Sequence, residues 1–228
     1  MATEPVTGTV TEPAAKSPAG PVTVSGLVEA LTAKWTSPAG AEVIRQGAKI
    51  IRYLKEHGPL PLEIADAMLP DAERARGLGM FQYFRDRYYD LETDGRGNIV
   101  GAGMSLINNS RHTAEIDGEL FYQWCLVDAL MFPISFGGDS PVTTTCPATG
   151  QKITFTVTAT GIKDLSHPDA WFTFAPGTGG SVRVRFCDRV NLYADRAAAE
   201  AEVRADPEIA AGPVDQAWPI AKDLAGLF

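Results

Sequence analysis

The chain reads as an α+β protein, with a winged-helix-like helical part first and a core of strands packed with helices after it. From residue 25 to residue 88, apolar side chains recur at helical spacing. From residue 99 to residue 193, β-branched and alternating runs dominate, interrupted by one apolar helix-like stretch. Helix-forming segments placed before strand-forming ones favour segregated α+β layers over an alternating α/β sheet.

Residues 1–24 are rich in Pro, Thr, Ala, Gly and Val and show no periodic face, so they read as a disordered or loosely attached tail. The spacing predicts a helix over 25–33, capped by Ser25. A second follows over 41–56, with Val43, Ile44, Ile50, Ile51 and Leu54 as its stripe. His57-Gly58-Pro59 ends it, and His57 suits the negative end of the helix dipole. A short helix over 62–68 and a longer one over 71–88 are separated by Leu69-Pro70-Asp71, with Asp71 as N-cap. The tight break resembles a helix-turn-helix, and Asp94-Gly95-Arg96-Gly97-Asn98 reads as the hairpin turn of a wing. Acidic and basic residues nearly balance over 26–92, without a basic recognition helix. Residues 25–92 therefore read as a structural or substrate-covering module rather than a DNA reader.

Residues 93–228 form the expected core domain. Strands are expected over 99–108 and 111–116, the latter closed by Asp117-Gly118, with His112 at a surface or strand edge. Residues 121–133 read as one apolar helix stopped by Pro133. Within it Cys125 and Asp128 stand three apart, on one helical face. A carboxylate on an apolar segment needs a partner, and a thiol beside it ionises less readily. The segment alone fits either a proton-sharing pair or a buried structural Cys with a surface Asp.

Further strands are expected over 140–146 and 152–160, joined by Pro147-Ala148-Thr149-Gly150, with Ile153, Phe155 and Val157 facing inward. Residues 170–175 are another candidate strand, and 181–193 give the strongest strand pattern. There Val182, Val184 and Phe186 would share one face and Arg183, Arg185 and Cys187 the other, with the arginines favouring a thiolate. Helices are expected over 197–204 and 216–227.

The 228 residues carry a net charge of −8, which argues against non-specific binding to nucleic acid or an anionic membrane. No apolar run reaches membrane-spanning length. The start, Met1-Ala2-Thr3-Glu4-Pro5, lacks the basic and apolar regions of a signal peptide, so a cytoplasmic location is expected. Three cysteines cannot all pair, and in the cytosol they stay reduced. No C-x-x-C or H-x-x-x-H spacing points to structural zinc.

Three cysteine segments together resemble organomercurial lyase (alkylmercury lyase). The pieces are Trp124-Cys125-x-x-Asp128-x-Leu130-x-Phe132-Pro133, Cys146-x-Ala148-Thr149-Gly150 and Phe186-Cys187. Asp94-Gly95-x-Gly97-Asn98-Ile99-Val100-Gly101 and Glu115-Ile116-Asp117 are similar to that family as well. The resemblance implies a winged-helix-like part followed by antiparallel strands and helices, and protonolysis of the carbon–mercury bond. It implies Cys125, Asp128 and Cys187 as the catalytic set and the holders of mercury, with Cys146 structural. Where some relatives carry a second cysteine after the one matched by Cys187, this chain has Asp188.

Mercury is soft and prefers thiolates. Two thiolates on R–Hg weaken its bond to carbon, and the departing carbon needs a proton, which a carboxylate can relay from a thiol. No organic cofactor is expected. Hg(II) would leave to cellular thiols or to mercuric reductase. Two other classes fit the same residues: a mercury- or copper-binding protein without proton delivery, and a winged-helix metal-responsive regulator. Asp128 argues against the first and the acidic net charge against the second.

Overall fold

The structure, a computed structural model, describes residues 22–228. The tail expected over 1–24 lies outside the described residues except at its end, where Thr23 caps and Val24 opens the first helix.

Helices α1 (Val24–Thr36) and α2 (Pro38–His57) meet at Ser37, whose hydroxyl caps α2 by accepting from the Gly40 amide. The cap of α1 is Thr23, not Ser25, because the Thr23 hydroxyl accepts from the Gly26 amide. The stripe Val43, Ile44, Ile50, Ile51 and Leu54 is buried along α2, as its spacing requires. Helix α3 (Leu62–Ala67) follows. The helix expected over 71–88 is two short ones, α4 (Asp71–Ala75) and α5 (Met80–Arg85). Gly77 at φ +75° breaks it, a conformation that glycine adopts without a Cβ penalty. Asp71 lies inside the first turn of α4, and the capping position belongs to Pro70.

Strands β1 (Glu92–Thr93) and β2 (Ile99–Ala102) flank the expected hairpin turn, in which the Asp94 carboxylate accepts from the Arg96 and Asn98 amides. The strand expected over 99–108 reverses at Gly103, φ +93°, and returns as β3 (Met104–Ser105). Strand β4 (His112–Ile116) turns through Asp117 and Gly118, both at positive φ, into β5 (Glu119–Gln123). The helix expected over 121–133 therefore begins late. Residues 121–123 are strand, and α6 spans Leu126–Phe136. Pro133 sits inside α6 rather than ending it. The turn beyond it is closed by Ser135 Oγ donating to the Met131 carbonyl at 2.9 Å and the Gly137 amide to the Pro133 carbonyl at 3.0 Å.

Strands β6 (Ser140–Thr145), β7 (Lys152–Thr158) and β8 (Gly161–Lys163) complete an antiparallel sheet in the order β1-β2-β3-β5-β4-β6-β7-β8. Strand β9 (Trp171–Phe174) is the centre of a second, three-stranded sheet. The segment 181–193 is mostly not strand. It forms α7 (Val182–Arg185), a 3₁₀ turn over Cys187–Arg189, and only then β10 (Leu192–Tyr193). Helical period explains the burial, since Val182 and Phe186, four apart, are buried while Val184 is 59 % exposed. Asp90 fixes this choice: its Oδ2 accepts from Ser181 Oγ at 2.7 Å and from the Arg183 amide at 2.8 Å. Helix α8 (Arg196–Ala205), strand β11 (Ala210–Pro213) beside β9, and α9 (Ala217–Ala225) end the described chain.

Helix α6 is apolar on nearly every side, and Leu126–Pro133 are all buried, against α9 and against β4, β5 and β7 of the large sheet. One hydrophobic cluster runs from Leu31 in α1 to Ala225 in α9. Among the described residues no helix is long and apolar enough to cross a membrane.

Candidate active site

Cys125 is the hinge between strand and helix. Its backbone is extended (φ −147°, ψ 177°), and it occupies the N-cap of α6. The Trp124 amide donates to the Gly103 carbonyl at 2.8 Å and the Leu126 amide to the Val190 carbonyl at 3.0 Å, so both sides of Cys125 are tied to other segments. The Asp128 amide points at Cys125 Sγ across 3.5 Å, and the Cys125 thiol donates to Asp128 Oδ2 at 3.2 Å. The three-residue spacing is thus a cap relationship rather than two residues inside one helix.

Cys187 opens the 3₁₀ turn after α7, and its thiol lies 3.8 Å from the same Asp128 Oδ2. The two sulfurs and the carboxylate lie within 4.8 Å of one another, and all three residues are buried. The third cysteine, Cys146, is buried at the end of β6 outside this cluster, with its amide donating to the Gln151 carbonyl at 2.8 Å. Asp188 turns away from the cluster and pairs with Arg183 at 3.0 Å.

Burial pushes the Asp128 carboxyl up to about 7, against the opposing pull of the Cys125 thiol and of the Arg183 charge. Burial likewise raises the Cys125 thiol. Contact with the Cys125 thiol, followed by burial, raises the Cys187 thiol well above the ordinary range. The arginine effect expected on Cys187 is present only from Arg183 and is outweighed. Arg185 instead faces away to Glu208 at 3.0 Å. At rest the site therefore holds its protons, with one carboxyl able to gain or lose one near neutrality.

Beside the cluster lies an apolar cavity of about 60 Å³, lined by Trp35, Phe84, Tyr89, Trp124, Phe132 and Phe228 together with Asp128 and Cys187. Phe228 meets Phe132 edge-on at 5.6 Å and Trp35 at 6.3 Å. A polar groove of about 630 Å³ opens on the other side of Cys187. A larger cleft of about 1000 Å³, between Val24, Trp171 and Arg196, touches none of the three residues.

Two supporting features escape a reading of the sequence. Gly103 packs directly on the site: a Cβ there would stand 3.1 Å from the Phe132 ring and 3.4 Å from Asp128 Oδ1. A glycine inside an apolar run, the second of the pair Gly101 and Gly103, is the available signal. His112, expected at a surface or strand edge, is buried at 1 % exposure in the middle of the large sheet. Its Nδ1 accepts from Thr144 Oγ1 at 2.7 Å, and its Nε2 donates to Asn191 Oδ1 at 3.3 Å. Asn191 Nδ2 in turn donates to the Asp188 carbonyl at 3.1 Å, which anchors the turn that carries Cys187.

Comparison with known proteins identifies the context. The family profile described as alkylmercury lyase matches residues 107–226, just over half of the chain. The alkylmercury lyase of Pseudomonas putida is 34% identical over 128 residues, 56% of this chain and 60% of the relative. That of Staphylococcus epidermidis is 28% identical over 181 residues, 78% of this chain and 81% of the relative. That of Streptomyces lividans is 32% identical over 136 residues, 59% of this chain and 63% of the relative. The match to the Pseudomonas and Streptomyces proteins thus spans less than two thirds of their length. The crystal structure of the mercury-bound form of MerB2 superposes with a TM-score of 0.68 at 14% identity, covering 89% of this chain and 98% of that one, and shares its fold.

Proposed function

The chain belongs to the alkylmercury lyase family, and from that premise we propose that it cleaves the carbon–mercury bond of organomercurials by protonolysis, giving a hydrocarbon and Hg(II). The observation that carries this reading is the position of Asp128 Oδ2, 3.2 Å from one thiol and 3.8 Å from the other. A site built only to hold a soft metal needs the sulfurs; it does not need a carboxyl whose proton is exchangeable near pH 7.

In the proposed sequence R–Hg–X enters with its organic group in the apolar cavity. Cys125 passes its proton to the Asp128 carboxylate and its sulfur binds mercury, while X departs as an anion that takes up the Cys187 proton in the next step. Cys187 then binds mercury through sulfur as its thiol proton is released. One of the two thiol protons leaves with X, and the other reaches carbon from Asp128 as the carbon–mercury bond breaks. Hg(II) remains on the two sulfurs, and the carboxylate ends as it began. The proton balance closes without an organic cofactor.

The low polarity of the cavity supports this scheme, because charge developing on carbon is not dispersed into water before the proton arrives. Residues 25–92 serve as a cover: Trp35, Val43, Ile44 and Ile51 wall the cavity on the side away from the sheet. Cys146, packed outside the cluster, has a structural role. The cysteines are free, which suits the cytoplasm, where cellular thiols and mercuric reductase would accept the Hg(II).

The test is incubation of the purified protein with methyl-, ethyl- and phenylmercury in excess thiol, with analysis of the headspace or extract for the hydrocarbon. Stoichiometric mercury capture without hydrocarbon would leave a binding protein in place of a lyase.

A further inference from the structure

Cys187 is the one residue of the three that reaches both the apolar cavity and the polar groove. It retains 4 % exposure, whereas Cys125 has none. Cys125 lines neither opening, so a polar ligand that enters by the groove meets Cys187 first. The groove's volume of about 630 Å³ falls within the roughly 300–1,000 Å³ of small-ligand clefts.

The charges along the groove are unequal. Arg183 and Asp188 face each other at 3.0 Å, and Arg183 also holds Glu92 at 3.1 Å. Arg111 is exposed, lines the groove, and pairs with no carboxylate among the described residues. Its backbone is fixed, with its carbonyl accepting from the Thr145 amide at 3.2 Å. Asn108, Asn109 and Ser110 add polar groups beside it. On a chain of net charge −8, an unpaired cation beside the exit of a buried thiol site selects for anions locally.

We propose that this groove binds a small thiol bearing a carboxylate, that Arg111 holds the carboxylate, and that the thiol takes Hg(II) from Cys187 first. The inference rests on the reading above that Hg(II) ends on Cys125 and Cys187. In the exchange the incoming sulfur forms a bond to mercury and the Cys187–mercury bond breaks. The proton of the incoming thiol passes to Cys187. A second thiol repeats the exchange at Cys125, giving Hg(SR)₂ and two protein thiols, with no change of oxidation state.

The experiment loads the protein directly with one equivalent of Hg(II) and follows its release by glutathione, 2-mercaptoethanol and cysteamine, for the unaltered chain, Arg111→Gln and Arg111→Lys. An exposed charge pair contributes about 0.2–1 kcal/mol, so Arg111→Gln slows release by glutathione about 1.4- to fivefold, and Arg111→Lys restores most of it. Release by neutral 2-mercaptoethanol stays unchanged, and release by cationic cysteamine is unchanged or faster. Equal slowing of all three thiols, or no slowing of any, overturns the proposal. Hg(II) loading of Cys187→Ser equal to that of the unaltered chain removes the premise and the proposal together. Hydrocarbon release, measured separately, tells failure of the lyase reading apart from failure of the groove.

Discussion

His112 Nε2 faces Asn191 Oδ1 at 3.3 Å across 79 residues of chain, inside the core. This contact ties the central strand of the large sheet to the turn that carries Cys187. Burial holds the imidazole neutral, lowering its pKa to about 3 from an ordinary 6.5 against the opposing pull of the Asn191 hydrogen bond.

The first prediction follows from that shift. Between about pH 6.5 and 3 the unfolded chain binds a proton at His112 that the folded chain refuses. Stability from this group is therefore complete above pH 6.5 and lost as the pH falls towards 3. His112→Gln should lower stability at pH 7 by on the order of 1–3 kcal/mol, through unsatisfied buried partners, and should flatten the loss between pH 6.5 and 4. Denaturant titrations at several pH values measure both, and an unchanged acid slope in the variant would count against the neutral buried histidine.

Asp128 has the opposite sign. Its folded pKa, about 7, lies above its ordinary 3.8, so its favourable contribution is present at low pH and lost as the pH rises through 7. Asp128→Asn should melt at a higher temperature than the unaltered protein at pH 8, with the difference shrinking by pH 5.

On the proposed relay, the same residue should separate binding from cleavage. Asp128→Ala keeps both sulfurs and should retain mercury, while single-turnover hydrocarbon release falls by roughly 10²–10⁴-fold, the usual contribution of a general acid. Cys187→Ser should weaken mercury retention as well. Near-normal cleavage by Asp128→Ala would remove the relay role.

Gly103→Ala tests the backing of the carboxyl. The added Cβ would press on Phe132 and Asp128 at a φ of +93°, which alanine rarely adopts. Hydrocarbon release should fall by at least tenfold while mercury retention changes little. Equal loss of both would show a general folding defect instead.

Cys146→Ser should cost stability more than rate. Burial opposes ionisation of this thiol, but the Thr149 side chain and the amides of Ala194, Thr149 and Ala148 together hold it below the usual thiol range. Its amide also closes the turn to Gln151. Full stability with complete loss of turnover would make it catalytic.

Legibility in the sequence followed how local each cause is. The α2 stripe and the alternation of β7 are long, regular and self-sufficient, and both elements lie where the period puts them. Val182-Arg183-Val184-Arg185 carries a two-residue period and becomes helix, because Asp90, remote in sequence, caps it through Ser181 and the Arg183 amide. The helix expected over 71–88 is split at Gly77, a residue that a helical pattern tolerates in principle. Cys125 and Asp128 are close in sequence, so their proximity was readable. Cys187 entered the set only through the family resemblance, since nothing local brings it to Asp128. His112 was misplaced because a histidine on a short strand gives no sign of whether the sheet continues on both sides of it.

The sulfur of Cys125 stands where helices ordinarily place a hydroxyl. Serine is among the preferred residues at such a position, so Cys125→Ser would leave the start of α6 as well capped as before, or better. The architecture therefore sets no barrier of its own against exchanging sulfur for oxygen at this position. A chain altered by that one atom would keep its fold, and on the proposed mechanism it would lose its first mercury ligand. On the proposed mechanism the thiol at this point is required by the reaction and not by the fold.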